Sequence, residues 1–201
     1  QKGDRARLLL PAEDAAALGL TDGADTPDTG LPILDTRKAD GRILHLIGPD
    51  HDAAFLEERL VGTRAFTLHL DWDFRQRQMR LHSAAHLLHC LMERELGHKV
   101  PDPQTSDLQP EQGLNRYELA DLVTPEQMER IVSALNAFTA EGHAIRTSPD
   151  AQRAGFRYWQ CEDWVIPCGG THPNTTTEIG PITVNLSLKR GRTSMTFRLV
   201  E

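Results

Sequence analysis

Residues 73–96 read DFRQRQMRLHSAAHLLHCLMEREL. The stretch has neither Pro nor Gly, and apolar residues return at helical spacing through Met79, Leu87, Leu88, Leu91 and Met92. A long helix is predicted here, with Gly97 as its C-terminal stop. What precedes it has a different character. TDGADTPDTG (21–30) is turn-rich. LPILDTRK (31–38), DGRILHLI (40–47) and TRAFTLHLDW (63–72) read as short strands, while PDHDAAFLEERL (49–60) fits a short helix or a loop equally well. The helix therefore marks a boundary. Residues 1–72 are expected to form a small β-barrel-like domain, and residues 73–201 a domain of another kind.

Downstream, a second helix is signposted by its ends. Thr124 is an N-cap candidate, Pro125 suits the first helical position, and Gln127 sits where a capping box needs it. PEQMERIVSALNAFTAE should then stop at Gly142. HAIRTS and FRYWQCEDWVI follow. The last segment, PITVNLSLKRGRTSMTFRLV, reads as a hairpin turning at Lys189 to Arg192. PDPQTSDLQPEQG (101–113) reads as a surface loop. Strands and helices are partly segregated, which specifies α+β rather than a doubly wound parallel sheet.

Composition bounds the class. The 201 residues can bury a real core, and 39% hydrophobic with 25% charged residues is ordinary for a globular chain. No apolar run approaches the ~18 residues of a membrane span, and QKGDRARLLL lacks the features of a signal peptide, so a cytoplasmic protein is expected. Three cysteines make no disulfide framework. The net charge of −7 argues against a general nucleic-acid coat, though not against a local basic patch.

The chemistry-bearing residues fall into two half-sites. His82 and His86 are four apart on the predicted helix, so both imidazoles project from one face. Cys168 and His172 are again four apart, across a Gly-Gly turn that lets thiolate and imidazole converge. Two incomplete half-sites in one chain favour a single tetrahedral metal site. Three imidazoles with one thiolate suit zinc, with cobalt or iron as alternatives, and suit magnesium or calcium badly. The site is either structural, closed by four ligands, or catalytic. A peptidase of the HExxH kind is excluded, because Ser83 stands where its glutamate base should be. A nucleoside deaminase is excluded too, for want of its HxE and PCxxC motifs.

Other residues carry weaker signals. His89 and Glu178 could orient a ligand, or simply be packed and solvated respectively. Cys90 and Cys161 read as buried thiols, whereas Cys168 is either a ligand or a nucleophile. Lys189, Arg190 and Arg192, and separately Arg75, Arg77 and Arg80, are basic clusters that fit either a phosphate backbone or plain solvated surface.

HSAAHLLH (82–89) followed some eighty residues later by CGGTHPNTTTEIG (168–180) resembles the editing domain of alanyl-tRNA synthetases and its free-standing relatives, the alanyl-tRNA editing proteins. Threonyl-tRNA synthetases carry a similar domain, but the second motif is closer to the alanyl group. DTRKADGRILHLI (35–47) and LDWDFRQRQMRLHSAAH (70–86) extend the likeness over nearly the whole chain. The resemblance implies a small N-terminal β-barrel followed by an α+β zinc-containing editing domain. It implies one zinc ion on His82, His86, Cys168 and His172, which would also be the catalytic residues. The implied activity is ATP-independent hydrolysis, in trans, of the ester joining serine or glycine to alanine tRNA, a translation-fidelity function needing no protein partner.

QKGD at the start resembles the end of that family's glycine-rich loop, which makes Gln1 a substrate-binding candidate and implies a β-barrel-like domain lacking its first strand. Zinc would polarise the ester carbonyl, anchor the amino group, or lower the pKa of bound water to ~7. Two rival readings are a non-catalytic RNA-binding module with a structural zinc, and a zinc hydrolase acting on small esters or amides.

Overall fold

The computed structural model describes residues 3–10, 30–48, 54, 57, 58, 67–119, 122–189 and 191–200. The chain is mixed α+β and rich in strands, and it divides into two compact units, Gln1–Arg75 and Gln76–Glu201.

In the first unit β1 (Ala6–Leu9), β2 (Leu31–Ala39), β3 (Arg42–Ile47) and β4 (Thr67–Leu70) form an antiparallel sheet in the order β3-β2-β1-β4. The β2–β3 hairpin turns on Asp40 and Gly41, both at positive φ (50° and 74°), the conformation that a tight two-residue turn between twisted strands demands. Leu8, Leu31 and Ile33 make a small core. Buried Asp4 is held by both Nε and Nη2 of Arg75. The expected barrel is not closed among the described residues: β3 and β4 are edges. The four strands among the described residues are too few to wrap round a filled interior. The expectation for residues 49–60 falls almost entirely outside the described residues, as does Gln1.

Helix α1 (Trp72–Leu96) starts where Asp71 accepts the Phe74 N–H at 2.9 Å, one residue earlier than the sequence signalled. The strand read over 63–72 is accordingly described only as β4. α1 ends at Gly97, φ 70°. Between Leu81 and Met92 most residues are buried, so this is the central helix of the second unit and not a surface one. Helix α2 (Pro125–Glu141) has the full capping box, Thr124 with Gln127, and stops on left-handed Gly142.

Two sheets complete the unit. β5 (Thr105–Leu108), β6 (Gly113–Tyr117), β10 (Ile182–Lys189) and β11 (Arg192–Leu199) run in the order β10-β11-β6-β5, with the predicted C-terminal hairpin in register from Ile182↔Leu199 to Lys189↔Arg192. β7 (Ile145–Pro149), β8 (Arg157–Cys161) and β9 (Trp164–Pro167) form the other. Residues 101–113 are not a plain loop, because Thr105–Leu108 pairs with β6. FRYWQCEDWVI folds back on itself at Glu162, φ 49°. The core joins Leu81, Leu88 and Met92 of α1 to Ile131 and Leu135 of α2 and to Tyr117, Trp159 and Phe197 from the strands. Among the described residues no helix is long and apolar enough to cross a membrane.

Candidate metal centre

His82 and His86 stand one turn apart on α1, ring centroids 4.8 Å from each other. The turn of helix that carries them is buried on either side by Leu81, Ala84, Ala85, Leu87 and Leu88, which fixes the direction of both imidazoles. Cys168 and His172 come from an irregular segment with tethered ends. The Cys168 N–H donates to the Arg157 carbonyl at 2.9 Å, continuing the β8–β9 pairing. Beyond His172, Glu178 accepts the N–H groups of Asn174 and Thr175, both at 2.9 Å, and opens a single 3-10 turn, Thr176–Glu178. The Ile145 N–H and the Asn174 carbonyl close the far end at 2.8 Å.

These elements bring one ligand atom from each of His82, His86, Cys168 and His172 to within 4.8 Å of one another, a group able to hold a metal ion. Cys168 Sγ lies 3.4 Å from His82 Nε2 and 3.4 Å from His172 Nε2. The Gly170 N–H reaches the same sulfur at 3.4 Å. His86 Nε2 is buried and has no hydrogen-bond partner among the described residues. His172 Nδ1 lies 2.9 Å from the Ser83 hydroxyl. The Trp159 indole packs against His86, ring centroids 5.1 Å apart.

The two glycines of the turn do different jobs. Neither has positive φ, so left-handed backbone is not the reason for them. A Cβ on Gly169 would meet nothing within 4 Å, but one on Gly170 would sit 2.2 Å from His82 Cε1. Gly170 is there for close approach.

Burial dominates the electrostatics. It lowers His82 to about 4, outweighing an opposing interaction with the Thr171 backbone. It lowers His86 to about 3 and His172 to about 2, with the neighbouring imidazoles pushing the same way. All three rings are neutral near pH 7 and keep a lone pair to donate. Burial also raises the Cys168 thiol, opposed by the Gly170 N–H. The sulfur therefore gives up a proton when it takes a cation.

The remaining sequence candidates lie elsewhere. His89 Nδ1 is 3.1 Å from the Tyr117 hydroxyl and its Nε2 is 3.6 Å from Glu93, so it is a packed and bonded residue. Glu178 shapes the turn after His172, as above. Cys90 and Cys161 are buried, and burial pushes their thiols up to about 12 and about 11. Arg75 is spent on Asp4, Arg77 lies 2.8 Å from Glu111, and Arg80 donates to the Ile179 carbonyl. Arg192 lies 3.2 Å from Glu118, and Arg190 is outside the described residues. Sequence reading missed Ser83, Trp159 and the distinct task of Gly170. Only Ser83 carried a signal, as a small polar residue between buried ones.

No family model matches the chain. Among curated proteins it is similar to the alanyl-tRNA editing protein AlaX-M of Pyrococcus horikoshii, 33% identical over 159 residues, which cover 76% of this chain and 67% of that protein. It is also similar to the alanine–tRNA ligase of Pyrococcus furiosus (28% over 214 residues, 89% of this chain) and to that of Saccharolobus islandicus (24% over 190 residues, 81% of this chain). The chain spans about a fifth of the ligases' length, 22% and 20% respectively. It belongs to the family of alanyl-tRNA editing proteins, whose likeness runs into the alanine–tRNA ligases.

Proposed function

We propose that the chain is a trans-acting deacylase that hydrolyses Ser-tRNA(Ala), Gly-tRNA(Ala) or both, with one zinc ion held by His82, His86, Cys168 and His172. The observation that carries this is the convergence of three imidazoles and one thiol to within 4.8 Å in a chain of the alanyl-tRNA editing family. Zinc suits the donor set. Bonds of about 2.0–2.1 Å to nitrogen and 2.3 Å to sulfur at a tetrahedral angle separate N from S by about 3.6 Å, against 3.4 Å from Cys168 Sγ to Nε2 of both His82 and His172.

Zinc held by these four residues would supply a Lewis acid able to polarise the ester carbonyl or hold the substrate's amino group. The chain does the rest. Burial holds the three imidazoles neutral, and the Gly170 N–H favours the thiolate form of Cys168. A hydroxyl-recognising pocket would reject alanine by leaving polar groups unpaired, whereas glycine differs from alanine by a methyl group, a discrimination of only ~1–3 kcal/mol. Residues 1–72 serve as the smaller β domain and residues 73–201 as the editing domain.

The test is deacylation of Ser-tRNA(Ala), Gly-tRNA(Ala) and Ala-tRNA(Ala) by the native chain and by Cys168→Ala. Fast loss of serine or glycine, spared alanine, and loss of activity in the variant are expected. A folded, zinc-loaded chain that binds tRNA without deacylating it would instead make the zinc structural and the protein an RNA-binding module.

A further inference from the structure

Ser83 occupies the position after the first histidine of HxxxH, where a metallopeptidase would carry its glutamate base. It is fully buried, at 0% exposure, on the face of α1 that meets the Cys168–His172 segment. Its Oγ lies 2.9 Å from His172 Nδ1, while His172 Nε2 faces Cys168 Sγ at 3.4 Å. The two nitrogens of one ring therefore face different partners. A neutral imidazole has one donor and one acceptor nitrogen. If Nε2 offers its lone pair to a metal, the proton sits on Nδ1 and is donated to the Ser83 hydroxyl. A hydroxyl suits that role in a buried site, because it accepts the hydrogen bond without adding charge.

Among the described residues the helix histidines have no such hydroxyl partner, His82 meeting the backbone of Thr171 instead. No side chain bonds His82 Nδ1 among the described residues, and a helical backbone already aims both rings. His172 sits in irregular backbone and needs something else to hold it. We propose that Ser83 is the positioning residue of the centre: it fixes the tautomer and ring orientation of His172, and so locks the loop half-site onto the helix half-site. This rests on the metal reading above.

The experiment is zinc affinity by chelator competition for the native chain, Ser83→Ala and Ser83→Thr, with folding checked by circular dichroism. Ser83→Ala is expected to bind zinc about 10–100-fold more weakly, the usual loss when a ligand's outer hydrogen-bond partner is removed. Ser83→Thr, which keeps the hydroxyl, is expected to recover most of that. Native-like affinity in a folded Ser83→Ala, or equal weakness in the Ala and Thr variants, would overturn the role of Ser83. Failure of the folded native chain to take up zinc would instead overturn the metal reading itself. Should Ser83→Ala not fold, nitrogen-15 histidine spectra of the zinc-loaded native chain decide. A protonated, hydrogen-bonded His172 Nδ1 with metallated Nε2 is expected, and metallation through Nδ1 contradicts the proposal.

Discussion

The two halves of the centre are built in opposite ways. His82 and His86 inherit their geometry from one turn of a buried helix, whose backbone hydrogen bonds hold whether or not a metal is present. Cys168 and His172 inherit theirs from a sum of individual contacts: the Cys168–Arg157 backbone bond, Gly170 against His82, Ser83 on His172, and Glu178 across the following turn. Identical spacing in sequence thus hides a difference in robustness. The helix half-site should survive most single substitutions nearby, while the loop half-site should be adjustable by many of them.

Removing a ligand from either half gives the largest effect and sets the scale. Structural zinc is worth about 10–16 kcal/mol in small domains, so losing one of four ligands costs roughly 100-fold or more in affinity. His86→Ala and Cys168→Ala should both show this by chelator competition. The next contrast separates the glycines. Gly170→Ala forces a methyl into His82 and should weaken zinc about 10–100-fold, whereas Gly169→Ala should stay close to native.

A matched pair of cap deletions sharpens the contrast further. Glu178→Ala and Thr124→Ala each remove a cap worth about 1 kcal/mol. The first should lower zinc affinity by up to about tenfold, and the second should lower the melting temperature while leaving zinc binding unchanged.

The smallest expected effect concerns His143, whose backbone N–H and carbonyl engage Thr176 at the end of the loop. Burial alone would depress its imidazole, but Glu141 at 2.7 Å and Glu162 at 2.9 Å raise it overall. A raised value stabilises the fold below the ordinary histidine pKa and loses that contribution as pH rises through the folded-state value. The protection factor of the Thr176 amide, its exchange rate corrected for the intrinsic rise with pH, should therefore fall by a few-fold at most between pH 6 and pH 9, and His143→Gln should remove that dependence. Amides of Leu87 and Leu88 on α1 should not respond.

What was legible followed local rules. The long helix, the capping box at Thr124, the Gly97 and Gly142 stops and the C-terminal hairpin are set by periodicity and end chemistry within a few residues, so they can be read directly. The same is true of the four ligand candidates, since each pair is local. β5 was hidden because TSDL, between Pro103 and Pro110, pairs only by virtue of β6. The barrel expectation went beyond the four strands of the described residues, which leave open edges. Ser83 was read only for the glutamate it is not, because its partner lies 89 residues away. Trp159 was invisible for the same reason, its contact with His86 being made entirely by the fold.

The central claim is that these four side chains form one zinc centre on which deacylation depends. The direct measurement is titration of zinc into the chelator-stripped chain, reading metal uptake and Ser-tRNA(Ala) or Gly-tRNA(Ala) deacylation together. Activity should rise in step with zinc and level off at one ion per chain, with Cys168→Ala silent throughout. Full activity in the stripped chain, or uptake of zinc with no gain in deacylation of either substrate, would contradict it.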